Sequence, residues 1–218
     1  MQSVVTLGFD DADGFDIALR RRGAGPDAVH ELVVNGMFAM DSVDASSELA
    51  LARLAPATAR RVLVGGLGLG FTAGEVLRRL AEARVTVAEL SSALIGWAGQ
   101  GIVPSLTCVA DDPRCTLWHV DVAEALRTTS GWDAILLDVD NGPDFLIHDA
   151  NAPLYETDLL TAARDALTPG GLLAIWCENA TPSLDAALRR LGDHVWQVTV
   201  PVDRDGHHID YAIHCLRR

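Results

Sequence analysis

The stretch Arg61-Val-Leu-Val-Gly65-Gly-Leu-Gly-Leu-Gly70-Phe-Thr72 decides the fold. A short run of branched apolar residues meets four glycines in six positions and then a segment of helical periodicity. A strand that hands over to a helix in this way opens a βαβ unit. The glycines let the backbone turn tightly and approach a ligand where a Cβ would intrude, and the helix start offers N–H groups with no partner in the helix. A dinucleotide fingerprint counted from Gly66 needs Gly or Ala at its sixth position, and that position holds Phe71. A nicotinamide cofactor, and with it an oxidoreductase, is therefore the weaker reading.

Working outward, Thr72 and Glu75 have the spacing of a capping box for a helix that buries Val76, Leu77 and Leu80. A strand is expected at 85–89, a helix capped by Ser91 and running to Trp97, a strand at 116–120, a short helix at 122–128 and a strand at 134–138. After a loop at 139–153 comes a helix with Leu159, Leu160, Ala163, Ala166 and Leu167 on one face. The turn Thr168-Pro-Gly-Gly171 then leads into a strand at 172–177, and Arg189 and Arg190 lie late in a last helix. Strands at 195–202 and 207–216 flank Asp203-Arg-Asp-Gly206, a hairpin signal that makes at least one of them antiparallel. Upstream, a helix at 46–55 stops at Pro56, and residues 1–45 read as short strands at 4–9, 15–21 and 29–40. The expected fold is α/β, a doubly wound, Rossmann-like, mostly parallel seven-stranded sheet over 46–218, with an antiparallel C-terminal hairpin and a small N-terminal β subdomain over 1–45.

The 218 residues suffice for one such domain and its appendage. Hydrophobic residues make up 49%, enough to build a core. Thirty acidic against 17 basic residues give a net charge of −13, which repels a phosphate backbone and an anionic bilayer; neither nucleic acid nor membrane is an expected partner. All 17 basic residues are arginines, which removes every mechanism that needs an ε-amine, such as a P-loop lysine or a Schiff base. The four cysteines form no C-x-x-C pair, no apolar run approaches the roughly 20 residues of a membrane span, and no basic signal precedes Arg20. A reducing, cytoplasmic location is expected.

Three polar devices fall at successive strand ends. Glu89, followed by Leu90, ends a strand nineteen residues after Gly70, where such sheets present a carboxylate to ribose hydroxyls. Asp121 and Val122 end the next, where a carboxylate and a backbone N–H suit an adenine edge; an acid there also suits an ordinary helix cap. Asp138 closes the strand after that and begins Asp138-Val-Asp140-Asn-Gly-Pro143, above the expected reaction centre. There Asp138, and with it Asp140, is placed to orient an incoming amine or hydroxyl and take its proton. Tyr155 either lines an acceptor pocket or packs on the core. In His207-His-Ile-Asp-Tyr-Ala-Ile-His214 the alternation is that of a half-buried edge strand, so no metal site is expected.

The spacing of Gly66, Gly68 and Gly70 is similar to the G-x-G-x-G loop of class I methyltransferases, and residues 30–178 resemble the spermidine synthase family of that fold. The matching stretches are Val33 to Ser42, Gly65 to Gly70, Glu89, Asp121, Asp138 to Pro143, Leu154-Tyr155 and Pro169 to Gly171. The resemblance implies that Gly65, Gly66, Gly68 and Gly70 cradle the methionyl part of S-adenosylmethionine, that Glu89 and Leu90 hold the ribose and Asp121 and Val122 the adenine, and that Asp138 faces the reaction. The chain departs from the family at three points: Gly68 stands where the glycine loop carries an Asp for the donor amine, Ser46-Ser-Glu-Leu49 where a Tyr-His-Glu element is found, and Asn141 at the second acid of the Asp-x-x-Asp loop. Lost carboxylates disfavour a cationic polyamine. The expected activity is methyl transfer to a small-molecule acceptor. The alternatives are aminopropyl transfer from decarboxylated S-adenosylmethionine and a catalytically silent nucleoside-binding module. The appendage either closes the pocket or builds a homodimer interface.

Overall fold

Residues 3–139, 141–144, 146, 149–204 and 207–218 are described by a computed structural model. Four strands come first: β1 (Val4–Asp10), β2 (Ile17–Arg22), β3 (Val29–Val34) and β4 (Met37–Asp41) form an antiparallel sheet in sequential order. The run at 29–40, expected as one strand, is a hairpin. Asn35 and Gly36 both have positive φ, 51° and 72°, the conformation of a two-residue turn that matches strand twist, and Val34 pairs with Met37 across it.

The larger part alternates helices and strands: α1 (Ser46–Arg53), β5 (Arg61–Gly65), α2 (Phe71–Arg79), β6 (Arg84–Glu89), α3 (Ser92–Ala98), α4 (Pro104–Ala110), β7 (Cys115–His119), α5 (Val122–Thr128), β8 (Trp132–Leu137), α6 (Thr157–Ala166), β9 (Leu167–Cys177), α7 (Pro182–Leu191), β10 (Val195–Arg204) and β11 (His207–Arg217). The strands form a seven-stranded sheet in the order β10-β11-β9-β8-β5-β6-β7. Pairings from β9 to β7 are parallel, and β11 is antiparallel to both β9 and β10.

Both faces of this sheet are buried, which is why its strands read as unbroken apolar runs. Val62, Val64, Ala134 and Leu136 face a core shared with α1 to α4 and with Ile17, Leu19 and Leu32 of the small sheet. Leu63, Ile135 and Leu137 face a second core built with α5, α6 and α7. Burial pushes the thiols of Cys177 and Cys215 up to about 12, so both behave as small apolar side chains. Among the described residues no helix is long and apolar enough to cross a membrane.

Three local expectations are corrected. The capping box at Thr72 and Glu75 does not form: the N-cap of α2 falls two residues earlier, on Gly70 in the left-handed region, so Thr72 and Glu75 lie inside the helix and are free for other partners. The Thr168-Pro-Gly-Gly171 turn is an irregular excursion within β9, where the register against β8 jumps between Trp132–Leu167 and Ala134–Leu172. Helix α4 has no counterpart in the expected elements, although Pro104 stands at its start, where a missing N–H costs nothing.

Candidate functional site

A cavity of about 250 Å³ runs along one edge of the large sheet beneath the small one. Its floor follows the strand order. Glu89 comes from the end of β6, Gly66 and Gly68 follow β5, Asp138 and Val139 follow β8, Trp176 lies near the end of β9 and Glu178 just after it, and Tyr211 and Val202 come from β11 and β10. Its roof is Ile17, Leu32, Val34, Phe38 and Met40 of the small sheet, with Asp41, Asp44, Ser47 and Glu48 from the connection into α1.

Glu89 is 8% exposed and holds the glycine loop in shape: Leu67 N–H donates to its Oε2 at 2.7 Å and Ser91 N–H to its Oε1 at 2.7 Å. Burial raises its pKa, while the amides of Ser91, Leu67 and Leu90 pull it back down. The loop lies flush against the strand beside it. Gly66 has φ 87°, and a Cβ there would overlap the Asp138 carbonyl oxygen. Gly68 has φ 50°, and a Cβ would come within 2.7 Å of Met40 Sδ. That thioether already accepts from Leu69 N–H at 3.3 Å, so Met40 seals the small sheet onto the loop.

Asp138 sits at the centre. The Thr72 hydroxyl donates to its Oδ2 at 2.6 Å. Burial, reinforced by the charge of Glu48, pushes its pKa up to about 7, with the Thr72 hydrogen bond acting the other way. Glu48 is itself 8% exposed and accepts from the Ser47 hydroxyl at 2.6 Å. Two buried acids therefore face one space, the arrangement that recruits a cation and holds one carboxyl near neutrality.

The other sequence-predicted residues are placed as follows. Gly65 packs against Val122, Leu137 and Val139, and Gly70 caps α2. Leu90 is half-buried, its carbonyl 3.0 Å from His119 Nε2. Asp121 is exposed and caps α5, accepting from Ala123 N–H at 2.8 Å, and it does not line the cavity. Val122 is buried in the second core. Tyr155 packs in that core too, and lines a separate surface groove beside α6 and α7 rather than this cavity. Asp140 lies outside the described residues. His214 is fully buried and accepts from Thr181 N–H at 3.2 Å, while His208 is exposed beside Asp203 and Asp210.

Sequence reasoning did not assign Met40, Glu48, Trp176, Glu178 or Tyr211 to the site. Only Glu48 carried a signal: it is the Glu of the stretch that matches the family's Tyr-His-Glu element.

The family profile of the methyltransferase small domain matches residues 30–209. Putrescine N-methyltransferase 2 of Nicotiana attenuata is 28% identical over 124 residues, 55% of this chain and 31% of that protein. Polyamine aminopropyltransferase 2 of Pseudomonas aeruginosa is 33% identical over 129 residues, 57% of this chain and 35% of that protein. The chain thus matches about a third of the length of these relatives. A crystal structure of a spermidine synthase in complex with the transition-state analogue AdoDATO superposes with a TM-score of 0.78 at 19% identity, over 97% of this chain and 73% of that one.

Proposed function

The chain belongs to the methyltransferase small domain family, and we propose that it transfers a methyl group from S-adenosylmethionine to the nitrogen of a small amine. The nucleoside half of the donor belongs at the end of β6, where Glu89 presents a carboxylate, and its tail on the amides of the glycine loop. The observation that carries methyl rather than aminopropyl transfer is Met40 Sδ standing over Gly68, 2.7 Å from where a Cβ would sit. The carboxylate that grips a donor amine elsewhere in the spermidine synthase family is missing here, and its place is filled from the roof.

Bound there, the donor supplies an electrophilic methyl whose bond to sulfur breaks, leaving its electron pair on sulfur, as the bond to nitrogen forms. The protein's part is to prepare the nitrogen. An amine enters as an ammonium ion, drawn by Glu48 and Asp138. Asp138, titrating near 7, is matched to take one proton and uncover the lone pair. The Thr72 hydrogen bond occupies Oδ2, which leaves Oδ1 for the amine. Holding the nitrogen in line supplies much of the remaining acceleration.

One observation favours a second reading. No arginine lines the cavity among the described residues, so a donor carboxylate meets no cationic side chain there, and a decarboxylated donor avoids that cost. Incubating the protein with either donor and an amine separates the two by mass spectrometry. S-adenosylhomocysteine with a methylated amine supports methyl transfer, and methylthioadenosine with an aminopropylated amine overturns it.

A further inference from the structure

The outer strands of the two sheets are unequally protected. β10 carries Pro201 and Asp203, residue types that keep a strand edge from pairing with another chain, and β7 is only five residues long and ends on the exposed His119. β1 pairs with β2 on one side alone, and from Ser3 to Phe9 it holds no proline and no charge. Val4 is 53% exposed, Val5 42% and Phe9 60%. Large apolar side chains beside a row of unpaired amides and carbonyls are a template for one more strand.

The surroundings of β1 select which strand fits. Val4, Val5 and Thr6 lie opposite Arg22, Arg21 and Arg20 of β2, so one end of β1 is flanked by guanidinium groups, and Arg20 and Arg21 have no ion pair among the described residues. The other end carries Asp10 and runs on to Asp11 and Asp13. An identical strand laid antiparallel sets the basic flank of each copy against the acidic end of the other, whereas a parallel one sets like charge on like. In a chain of net charge −13, that exchange of signs is what lets two copies approach.

A bulge in β1 makes the faces match. Its register against β2 shifts between Thr6 and Gly8, with Leu7 as the extra residue. Val4, Thr6 and Phe9 therefore share a face with Arg22, Arg20 and Ala18, while Val5 and Gly8 share the other with Arg21 and Leu19. That second face is turned to the large sheet, where Gly8 lies so close under the Trp97 ring of α3 that a Cβ would come within 2.5 Å of Trp97 Cε2. A two-fold axis through the bulge brings Val4 opposite the partner's Phe9 and Val5 opposite the partner's Gly8, each pair on one face, and repeats both contacts by symmetry. We infer that two copies of this chain pair antiparallel through β1, joining their small sheets into one and roofing two cavities with it. The inference stands apart from the proposed function, since it uses no residue of the cavity.

The test is sedimentation velocity on the full chain from about 1 to about 100 µM, where a dimer is expected to form as concentration rises. Phe9→Arg sets a cation beside the partner's Arg20 and Arg22 and should weaken the dimer about tenfold or more, whereas Phe9→Glu sets an acid there and should weaken it less, although it adds to the net negative charge. Circular dichroism reports that both variants fold, as the exposure of Phe9 leads one to expect. The register is read from a Val4→Cys, Phe9→Cys double variant oxidised with diamide and mapped by mass spectrometry. Positions 4 and 9 are about 17 Å apart along one strand, too far for a disulfide, so a 4–9 bridge forms only between chains. That bridge supports the pairing. Sedimentation as a monomer at about 100 µM, equal effects of the two Phe9 variants, or bridges joining 4 to 4 or 9 to 9 in place of 4 to 9 overturn it.

Discussion

The Thr72 hydroxyl and the Asp138 carboxylate are 2.6 Å apart, although 66 residues separate them in the chain. The bond joins the first turn of α2, beside the glycine loop, to the acid at the end of β8, so on the proposed function the residue that would receive the proton is fixed by the element that would hold the donor. Removing the hydroxyl takes away the one contact that lowers the Asp138 pKa. Thr72→Val is therefore expected to move the acid limb of the pH–rate profile upward by about half a unit to one unit, the worth of one hydrogen bond. An unmoved limb in steady-state assays between pH 6 and 9 would exclude Asp138 as the group that titrates.

Asp138 also sets a pH dependence of stability. Its pKa in the folded protein, about 7, is above the ordinary value of 3.8. The native state binds the extra proton between these values, so stability falls as pH rises from about 4 to 7. Asp138→Asn is expected to abolish turnover, yet it should melt at a higher temperature than the parent at pH 8, with the difference gone near pH 4. Thermal melts at the two pH values measure this, and a lower melting temperature at pH 8 would contradict it.

Gly68→Asp alone should not create an aminopropyltransferase, because its Cβ meets Met40 Sδ and the backbone there has positive φ. Weaker binding of both donors is expected, by about tenfold or more. Adding Met40→Ala removes the obstruction, and the double variant should bind decarboxylated S-adenosylmethionine better than the single one does. Calorimetry with the two donors reports the comparison directly.

The small sheet is tied to the large one beside the end of β6 as well. Asp13, between β1 and β2, accepts from Ser92 N–H at 2.8 Å and from the Ser92 hydroxyl at 2.9 Å, at the start of α3. Asp13→Ala should cost about 1 kcal/mol, as the loss of a helix cap does. It should also speed exchange of the first amides of α3 and raise the association rate of methylthioadenosine in stopped-flow fluorescence. Unchanged exchange would mean that the contact does not hold the two sheets together.

Glu75 ties α2 to α1 through Arg53 and pairs within α2 with Arg78. Its side chain is 4% exposed and pairs with Arg78 at 2.6 Å and Arg53 at 3.0 Å; the Arg78 hydrogen bond leads in holding its pKa down to about 2. Both arginines are largely exposed, which discounts the gain, so Glu75→Gln should cost about 1–2 kcal/mol at pH 7 in urea unfolding. Because the folded pKa is depressed, the contribution is present above about 4.5 and disappears as pH falls towards 2, and the gap between variant and parent closes over that range.

The parallel strands, the Ser91 cap, Glu89 and Asp138 were legible because each is written locally, as a buried apolar run, a cap beside it, or an acid at its end. Where one residue type serves two local purposes, the sequence did not choose. An acid at the end of β7 suits an adenine and a helix N-terminus equally, and Asp121 caps α5. Thr72 and Glu75 have the spacing of a capping box, but the left-handed Gly70 caps the helix two residues early and turns both side chains to tertiary partners. The roof was not legible at all. Met40 over Gly68 and Glu48 beside Asp138 are neighbours across 28 and 90 residues, and only the docking of the small sheet brings them together.

The strand order has a bearing on how such a protein diversifies. On the proposed function donor recognition hangs from β5 and β6, while the opposite wall of the cavity hangs from β9 and the terminal hairpin, so substitutions at Val202 or Tyr211 fall on strands that do not pair with β5 or β6. A change of recipient by substitution in the hairpin would then leave the proposed donor machinery in place.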